Sequence, residues 1–426
     1  MYLVNILNTI QRVVTSIILP PYSEMSVVPA EYTLTKVAKQ VNVRRLPVRQ
    51  ASDTQSYGVN GKIQITIPPD FNDLRDSYLT FYAIAPLLTG TYARFSYPIQ
   101  SFIQRATVYA GSQCIEDIND YNILSGIFKE ASSNQSVIGP QMEGSYTDAT
   151  RATQTNAGRL YAVRLRLESL TRIWPCHKLL IPLRIVLQIG DPTTYMETDG
   201  TYTSPTWSEV FYNYHVVQPS AEIDALLDAS IKAGTAQIRF HSYDNYQTNS
   251  ASAASQMLML PFKRECINSI VVVNRLQSEV GNVAVTGKFT DQYSCSATLQ
   301  SAYVKINSYV YPQDYYNMQY NQGYYMLALP LNSIMNDDFS AHTRQGDTFS
   351  DASPVDRVVI PFDLRDDSSP SGQNTYGNGV NTSASGNAQT LNMTFSGASG
   401  AISTDVFAKY EVILTVLPAG GMSLSS

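Results

Sequence analysis

Residues Leu179–Ile189 read LLIPLRIVLQI. Leu179, Ile181, Leu183, Ile185, Leu187 and Ile189 keep one phase of a two-residue repeat. Successive side chains of an extended chain point to opposite faces, so this is the pattern of a strand with one face in a core. The same grammar recurs on both sides. Upstream lie GKIQITIPP (Gly61–Pro69), SYLTFYAIA (Ser77–Ala85) and RLYAVRLRLESL (Arg159–Leu170). The last sets Tyr161, Val163, Leu165 and Leu167 against Arg164, Arg166 and Glu168. SEVFYNYHVV (Ser208–Val217) closes the first half. No strand–helix–strand alternation appears, which excludes a parallel α/β sheet and predicts half-buried antiparallel strands.

PSAEIDALLDASIKAG (Pro219–Gly234) breaks this pattern near the middle of the chain. Ser220 is placed to cap a helix, Glu222 and Asp224 lie in its first turn, and Gly234 ends it. It reads as a linker. The strand pattern then resumes in AQIRFHSY (Ala236–Tyr243), INSIVVVNRL (Ile267–Leu276) and LQSAYVKINSYVYP (Leu299–Pro312). It continues in GYYMLALPL (Gly323–Leu331), DRVVIPFDL (Asp356–Leu364) and AKYEVILTVLP (Ala408–Pro418). Arg365–Thr404 is rich in Ser, Gly and Asn and reads as a surface excursion ending in a weak strand, QTLNMTF. The expected fold class is all-β, with two tandem antiparallel sandwiches or jelly rolls, a few short helices and an N-terminal helical arm. The expected divisions are 1–50 (arm), 51–218 (first jelly roll), 219–234 (linker), 235–418 (second jelly roll) and 419–426 (tail).

Bulk numbers agree with a protein made for contacts. Of 426 residues only 15% are charged, and 29 are Tyr, a residue favoured in strands and in interface cores. The net charge of −6 excludes a wholly basic nucleic-acid binder. Residues 1–50 are the exception, with Arg12, Lys36, Lys39, Arg44, Arg45 and Arg49 against Glu24 and Glu31. Within YLVNILNTIQRVVTSIIL (Tyr2–Leu19), Leu3, Ile6, Leu7, Ile10, Val13, Val14, Ile17 and Ile18 fall on one helical face. Three readings stand for this segment: a helix docked on protein, an interfacial helix on a membrane, or a targeting peptide. Lys36, Lys39, Arg44, Arg45 and Arg49 are candidate contacts to DNA or lipid headgroups, or a clamp onto a neighbour.

No enzyme motif appears: no GxxxxGK[ST], no HExxH and no GxSxG. Cys114, Cys176, Cys266 and Cys295 are far apart and read as reduced structural thiols. The NxS/T triplets at Asn134, Asn381 and Asn392 read as chance matches. His177, His215, His241 and His342 read as loop or strand residues, and Asp337, Asp338, His342 and Asp347 as a solvated loop. In FIQRATVYAGSQCIEDINDYNILSGIF (Phe102–Phe128), Cys114, Glu116, Asp117, Asp120 and Tyr121 crowd together. The stretch reads as a strand turning into a helix, with Asn119 or Asp120 as cap and the carboxylates near the positive end of the helix dipole. No catalytic, cofactor-binding or metal-binding residue is expected.

Five stretches in order carry a resemblance. They are IQITIPPDFNDLRDSYLTFYAI, FIQRATVYAGSQCIEDINDYNIL, RLRLESLTRIWPCHKLLIPLRIVLQI, SAYVKINSYVYPQDYYNMQY and VVIPFDL. Over roughly residues 50–418 the chain resembles the double jelly-roll major capsid proteins of tailless icosahedral double-stranded DNA viruses. The closest flavour is that of virophages, polinton-like viruses and adintoviruses. The resemblance implies two tandem eight-stranded antiparallel jelly rolls (a double jelly roll) and a homotrimeric pseudo-hexagonal capsomer that tiles an icosahedral virion shell, made in the host cytoplasm or nucleus. It implies lateral trimer–trimer contacts, penton and minor capsid partners, and no catalysis. It also implies contact of the arm with an inner membrane, through Leu3, Ile6, Leu7, Ile10, Val14 and Ile17, or with packaged DNA. The rival from another class is a lectin-like or receptor-binding β-sandwich, with Trp207 and the Tyr315-Tyr316 and Tyr324-Tyr325 pairs as candidate aromatics.

Overall fold

The structure is a computed structural model that describes residues 44–45, 49–53, 56–131, 142, 144, 147–179, 181–285, 299–317, 359–365, 379–384, 388–417 and 421–426. The first set of strands is β1 (Arg44–Arg45), β2 (Arg49–Asp53), β3 (Lys62–Ile67), β4 (Phe71–Ile84), β5 (Leu87–Thr89), β6 (Ala93–Phe95), β7 (Ile103–Ala110) and β8 (Gln113–Asn119). It continues with β9 (Arg159–Val163), β10 (Ile173–Pro175), β11 (Leu183–Ile189), β12 (Met196–Thr198), β13 (Thr201–Tyr202) and β14 (Thr206–Gln218). The second set is β15 (Gln237–Ser250), β16 (Ser255–Met259), β17 (Ile267–Leu276), β18 (Leu299–Ile306), β19 (Tyr309–Asn317), β20 (Val359–Asp363), β21 (Gln389–Phe395), β22 (Ile402–Val416) and β23 (Met422–Ser425). Helix α1 (Tyr121–Ala131) and helix α2 (Asp148–Ala157) lie between β8 and β9, and α3 (Ala221–Lys232) lies between the two sets.

Among the described residues, strands up to Gln218 pair only with one another, and so do those from Gln237 on. Each set makes two large facing sheets, and the first adds two short ladders, β5 with β13 and β6 with β12. In the first set β1 and β2 share one edge of β14, β14 pairs β4, and β9 and β10 share the far edge of β4. That sheet has four strand positions, because each interrupted pair fills one. Its partner sheet runs β3, β11, β7, β8. The second set repeats the plan: β15, β22, β17, β20 face β16, β21, β18, β19. Numbered along the chain, the eight positions take the order 1-8-3-6 in one sheet and 2-7-4-5 in the other, in both sets. Every pairing is antiparallel. This is the jelly roll, and the chain has it twice.

The hydrophobic pattern explains the register. Ile63, Ile65 and Ile67 of β3 and Leu183, Ile185, Leu187 and Ile189 of β11 are fully buried. Ile65 stands opposite Ile185 and Ile63 opposite Leu187, so a one-residue slip would turn both rows to solvent. Each such side chain contributes about 1.5–3 kcal/mol by burial. Two-residue hairpins join β7 to β8 and β18 to β19, with positive φ at Gly111 (61°) and Asn307 (56°). Short hairpins need that conformation to match strand twist, and Gly and Asn adopt it at least cost.

The linker helix forms as expected. Ser220 Oγ accepts from the Ile223 N–H, and Gly234 lies just past the end at φ 68°. Its inner face packs Ile223 and Leu227 on Phe71, Ile173 and Val217 of the first sandwich. Asp224 accepts from Lys178 Nζ at 2.7 Å and pairs with His177 Nε2 at 2.9 Å.

Three expectations change. The alternation through Leu167 stays in a strand only to Val163, after which a single 3-10 turn forms at Glu168–Thr171. SYLTFYAIA is the second part of a longer strand that begins at Phe71. QTLNMTF is no weak ending: β21 is an interior strand between β16 and β18, with Gln389, Leu391, Met393 and Phe395 buried. The expected strand at 323–331 lies outside the described residues.

Candidate functional site: the seam between the sandwiches

The acidic cluster of Cys114, Glu116, Asp117, Asp120 and Tyr121 is dispersed by the fold. Strand β8 runs through Asn119, so Glu116 and Asp117 project to opposite sides of a sheet. Asp117 pairs with Arg105 on the outside of the first sandwich. Cys114 belongs to an exposed residue position, and partial desolvation of its sulfur, with Asp117 nearby, pushes the thiol up, the reverse of an activated nucleophile. Tyr121 Oη accepts from the Arg166 N–H at 2.8 Å. Asp120 takes a positive φ of 50°, and its Oδ1 accepts from Gln104 Nε2 at 2.8 Å. Asp120 holds the N-cap position through its backbone carbonyl, which accepts from the Ile123 and Leu124 N–H groups, while its carboxylate is turned to Gln104. Asn122 Oδ1 also accepts from the Ile123 N–H.

Glu116 points into the seam where the two sandwiches meet. It is buried, and its Oε2 accepts from the Ser169 N–H and Oγ. Burial pushes its pKa up to about 8 against those two hydrogen bonds, so it is mainly protonated at neutral pH. One residue before Ser169, Glu168 does the opposite. Its Oε2 accepts from the His241 backbone N–H (2.9 Å) and lies 3.1 Å from His241 Nδ1. Lys409 Nζ lies 3.3 Å from its Oε1, and Arg172 is at 3.8 Å. Burial raises this carboxyl, but Lys409, His241 and Arg172 together outweigh it and hold it well below the usual range. A carboxylate from the first sandwich thus ties down the edge of β15 and a buried lysine of β22.

Along β22, β17 and the first half of β15, both faces of the second sandwich's sheet are dry, whereas Gln247 and Asn249 at the far end of β15 are exposed. Phe240, Val412 and Val272 face its own core, while Tyr243, Phe407, Lys409, Glu411, Val271 and Val273 lie on the outer face and are also buried. The first sandwich covers part of that outer face. Strand β8 and the Glu168 turn pack on β15, and Phe128 of α1 meets Tyr243 edge-on at 5.7 Å. Arg166 lies over the Phe128 ring, 5.4 Å from its centre. The buried apolar cluster is continuous through both sandwiches.

At one end the seam opens into a cavity of about 170 Å³ lined by Gln104, Asp120, Thr194, Gln247, Arg275 and Glu279 among others. Arg275 Nη2 donates to buried Asp405 at 2.8 Å. Burial, then the nearby Asp405, pushes Asp120 up to about 6, with Arg275 opposing. Among the described residues no three His, Cys, Asp or Glu side chains are grouped to hold a metal ion, and no helix is long and apolar enough to cross a membrane.

Of the residues singled out from the sequence, Leu3, Ile6, Leu7, Ile10, Val14, Ile17, Lys36 and Lys39 lie outside the described residues. Arg44, Arg45 and Arg49 sit in β1 and β2, opposite Gln218, Val217 and Tyr214 of β14. Trp207, the candidate sugar-stacking ring, is fully buried against Phe102 and Tyr195. The 336–347 loop and Tyr324-Tyr325 lie outside the described residues. The Glu168, His241 and Lys409 constellation was missed, because its members are far apart in sequence and each looks like an ordinary surface charge.

A scan against protein-family models finds no match, and a search of curated proteins finds none. Solved structures do match. The PBCV-1 virus capsid quasi-atomic model aligns with a TM-score of 0.59 at 11% identity, over 90% of this chain and 96% of that chain. The Faustovirus major capsid protein aligns at 0.56 and 11%, over 88% and 90%. The mavirus major capsid protein aligns at 0.50 and 12%, over 89% and 90%. At such identities the likeness is one of fold, and it spans nearly the whole of each chain: this protein has the double jelly-roll fold found in those capsid proteins.

Proposed function

We propose that this chain is a viral major capsid protein that works as a homotrimer of pseudo-hexagonal outline and tiles an icosahedral virion shell around double-stranded DNA. One observation carries the reading: the same eight-position sandwich occurs twice, and the copies meet through unlike surfaces. A contact between unlike surfaces propagates head to tail and must either close into a ring or run on as a filament. Three chains supply six similar wedges, which suits a hexagonal outline and flat tiling. The full-length likeness to capsid proteins supports the same reading. Lateral contacts between trimers, penton and minor capsid proteins are the partners this function requires. The arm, with Leu3, Ile6, Leu7, Ile10, Val14 and Ile17 as its apolar face and Lys36, Lys39, Arg44, Arg45 and Arg49 as its charge, would meet an inner membrane or packaged DNA. Synthesis would take place in the host cytoplasm or nucleus.

Light scattering after size exclusion, with negative-stain microscopy of the same fractions, tests the proposal. Trimers of hexagonal outline are the expected result. A monodisperse monomer at micromolar concentration would sink it.

A further inference from the structure

The cavity at the end of the seam takes its walls from both sandwiches. Gln104 of β7, Asp120 and Thr194 belong to the first, and Gln247 of β15, Arg275 of β17 and Glu279 to the second. Residues 277–285, which follow β17, reach over to the first sandwich. There the Val283 carbonyl accepts from the Thr198 N–H at 2.8 Å. The cavity thus exists only where the two halves are joined. Its volume of about 170 Å³ has room for several water molecules. Among the described residues no His, Cys or Lys lines it. The walls offer carboxylate, carboxamide and hydroxyl oxygens, with Arg275 as the one cation.

Behind Arg275 stands Asp405. It is fully buried and lies directly opposite Gln247 in the β15–β22 ladder, on the face that carries Arg275. Its Oδ2 accepts from Arg275 Nη2 at 2.8 Å and Nε at 3.2 Å. Its Oδ1 is buried and accepts no hydrogen bond from the described residues. A buried carboxylate oxygen without a donor is costly, and a nearby cation offsets that cost. Asp120, across the gap, lies within reach of the Asp405 charge. Asp120, Glu279 and Asp405 outnumber Arg275, which leaves two negative charges in excess around a sheltered cavity.

We propose that this cavity binds a hard divalent cation, Ca²⁺ or Mg²⁺, which staples the two sandwiches together. Hard cations take oxygen ligands, and the walls supply little else. Among the described residues no three carboxylates converge on one point. The ion therefore keeps part of its water shell and is held by Asp120 from one sandwich and Glu279 from the other, since a hydrated cation needs only one or two carboxylates. Its two positive charges balance the excess around the cavity. The site lies within a single chain, so it is present in a monomer as in any assembly and is independent of the trimer reading.

Calorimetric titration of the full chain tests this, after stripping with EDTA and dialysis into sodium chloride. CaCl₂ and MgCl₂ are the two probes. One of them should bind at one ion per chain with a Kd of about 1 mM or tighter, and the tighter of the two names the ion. The same salt should raise the melting temperature, while sodium chloride of equal ionic strength should not. Asp120→Asn and Glu279→Gln should each weaken binding at least about tenfold. Asp117→Asn, outside the seam, should leave it unchanged. Both variants change half-buried side chains, so the fold should survive, as read by the far-ultraviolet spectrum. The absence of saturable binding by either salt would overturn the site, and so would binding that both variants retain in full. If the variants fail to fold, wild-type crystals soaked in MnCl₂ decide. An anomalous scattering peak between Asp120 and Glu279 is the expected result. Peaks on surface carboxylates alone would mean an adventitious ion only and would overturn the proposal.

Discussion

The two sandwiches share a topology and diverge in how they use it. Both carry apolar rows inward from every strand. They differ in what lies on the other side of the same sheet. The second sandwich buries Lys409, Glu411 and Asp405 there, and the first exposes Tyr78 and Leu160. Topology fixes which side chains share a face. Neighbours decide whether that face is wet, and so what chemistry it tolerates.

The sharpest way to break the comparison is to place a charge on each face. Phe407→Asp would bury a carboxylate with no partner and should cost more than about 4 kcal/mol of unfolding free energy. Phe211→Asp, on the same strand position of the first sandwich, should cost less than about 1 kcal/mol in dilute protein, where monomers dominate. Equal losses in urea titration would mean the faces do not differ.

Next in size is the buried ion cluster. Glu168→Gln leaves Lys409 without its carboxylate and should destabilise the chain by about 3 kcal/mol. Asp117→Asn breaks an exposed pair with Arg105 on the first sandwich and should cost less than about 1 kcal/mol. Thermal melts of the two variants against wild type measure the ratio.

The seam also predicts an unusual pH profile. Glu116 and Asp120 have folded-state pKa values raised to about 8 and about 6 by burial. Their contribution is therefore complete below the ordinary carboxyl range and is lost as pH rises through those values. Glu168 is held low, so its contribution is present above the ordinary range and is lost as pH falls below it. Stability should rise on going from pH 8 to pH 5, by on the order of 2 kcal/mol, and fall below about pH 4.5. Glu116→Gln should flatten the upper limb. A wild type whose melting temperature is constant or rises between pH 5 and pH 8 would contradict this.

The smallest effect belongs to the outer face of the β16–β21 sheet, where Met257 is 68% exposed. Met257→Ser should change the melting temperature by less than a degree or two, within about 0.5 kcal/mol.

Much of this fold was legible in the sequence, for a physical reason. A strand with one dry face must alternate, so GKIQITIPP and LLIPLRIVLQI announced themselves, the unbroken apolar run in INSIVVVNRL marked a strand buried on both faces, and Ser220 with Gly234 bracketed the linker helix. QTLNMTF was undervalued because its inward Gln389, Leu391 and Met393 are interleaved with Thr and Asn in a Gly-rich and Ser-rich tract. The seam was not legible at all. Alternation in AKYEVILTV marks Lys409 and Glu411 as solvent-facing, and it does so correctly for an isolated sheet. What reverses the reading is a carboxylate 73 residues from His241 along the chain, on a turn that the local pattern placed in a strand. Likewise the crowding of Glu116, Asp117 and Asp120 meant little, since adjacent strand residues part company across a sheet.

The tether through α3 gives the two kinds of junction different thermodynamics. Sandwiches joined by a short segment meet at an effective concentration near millimolar, whatever the dilution. The intrachain seam can therefore hold ionised and protonated carboxyls together at little risk of separation. A junction between chains would have no such help and would rely on apolar area. In a ring of three chains, dissociation would then follow every second boundary, and the unit released would always be a linked pair of unlike halves.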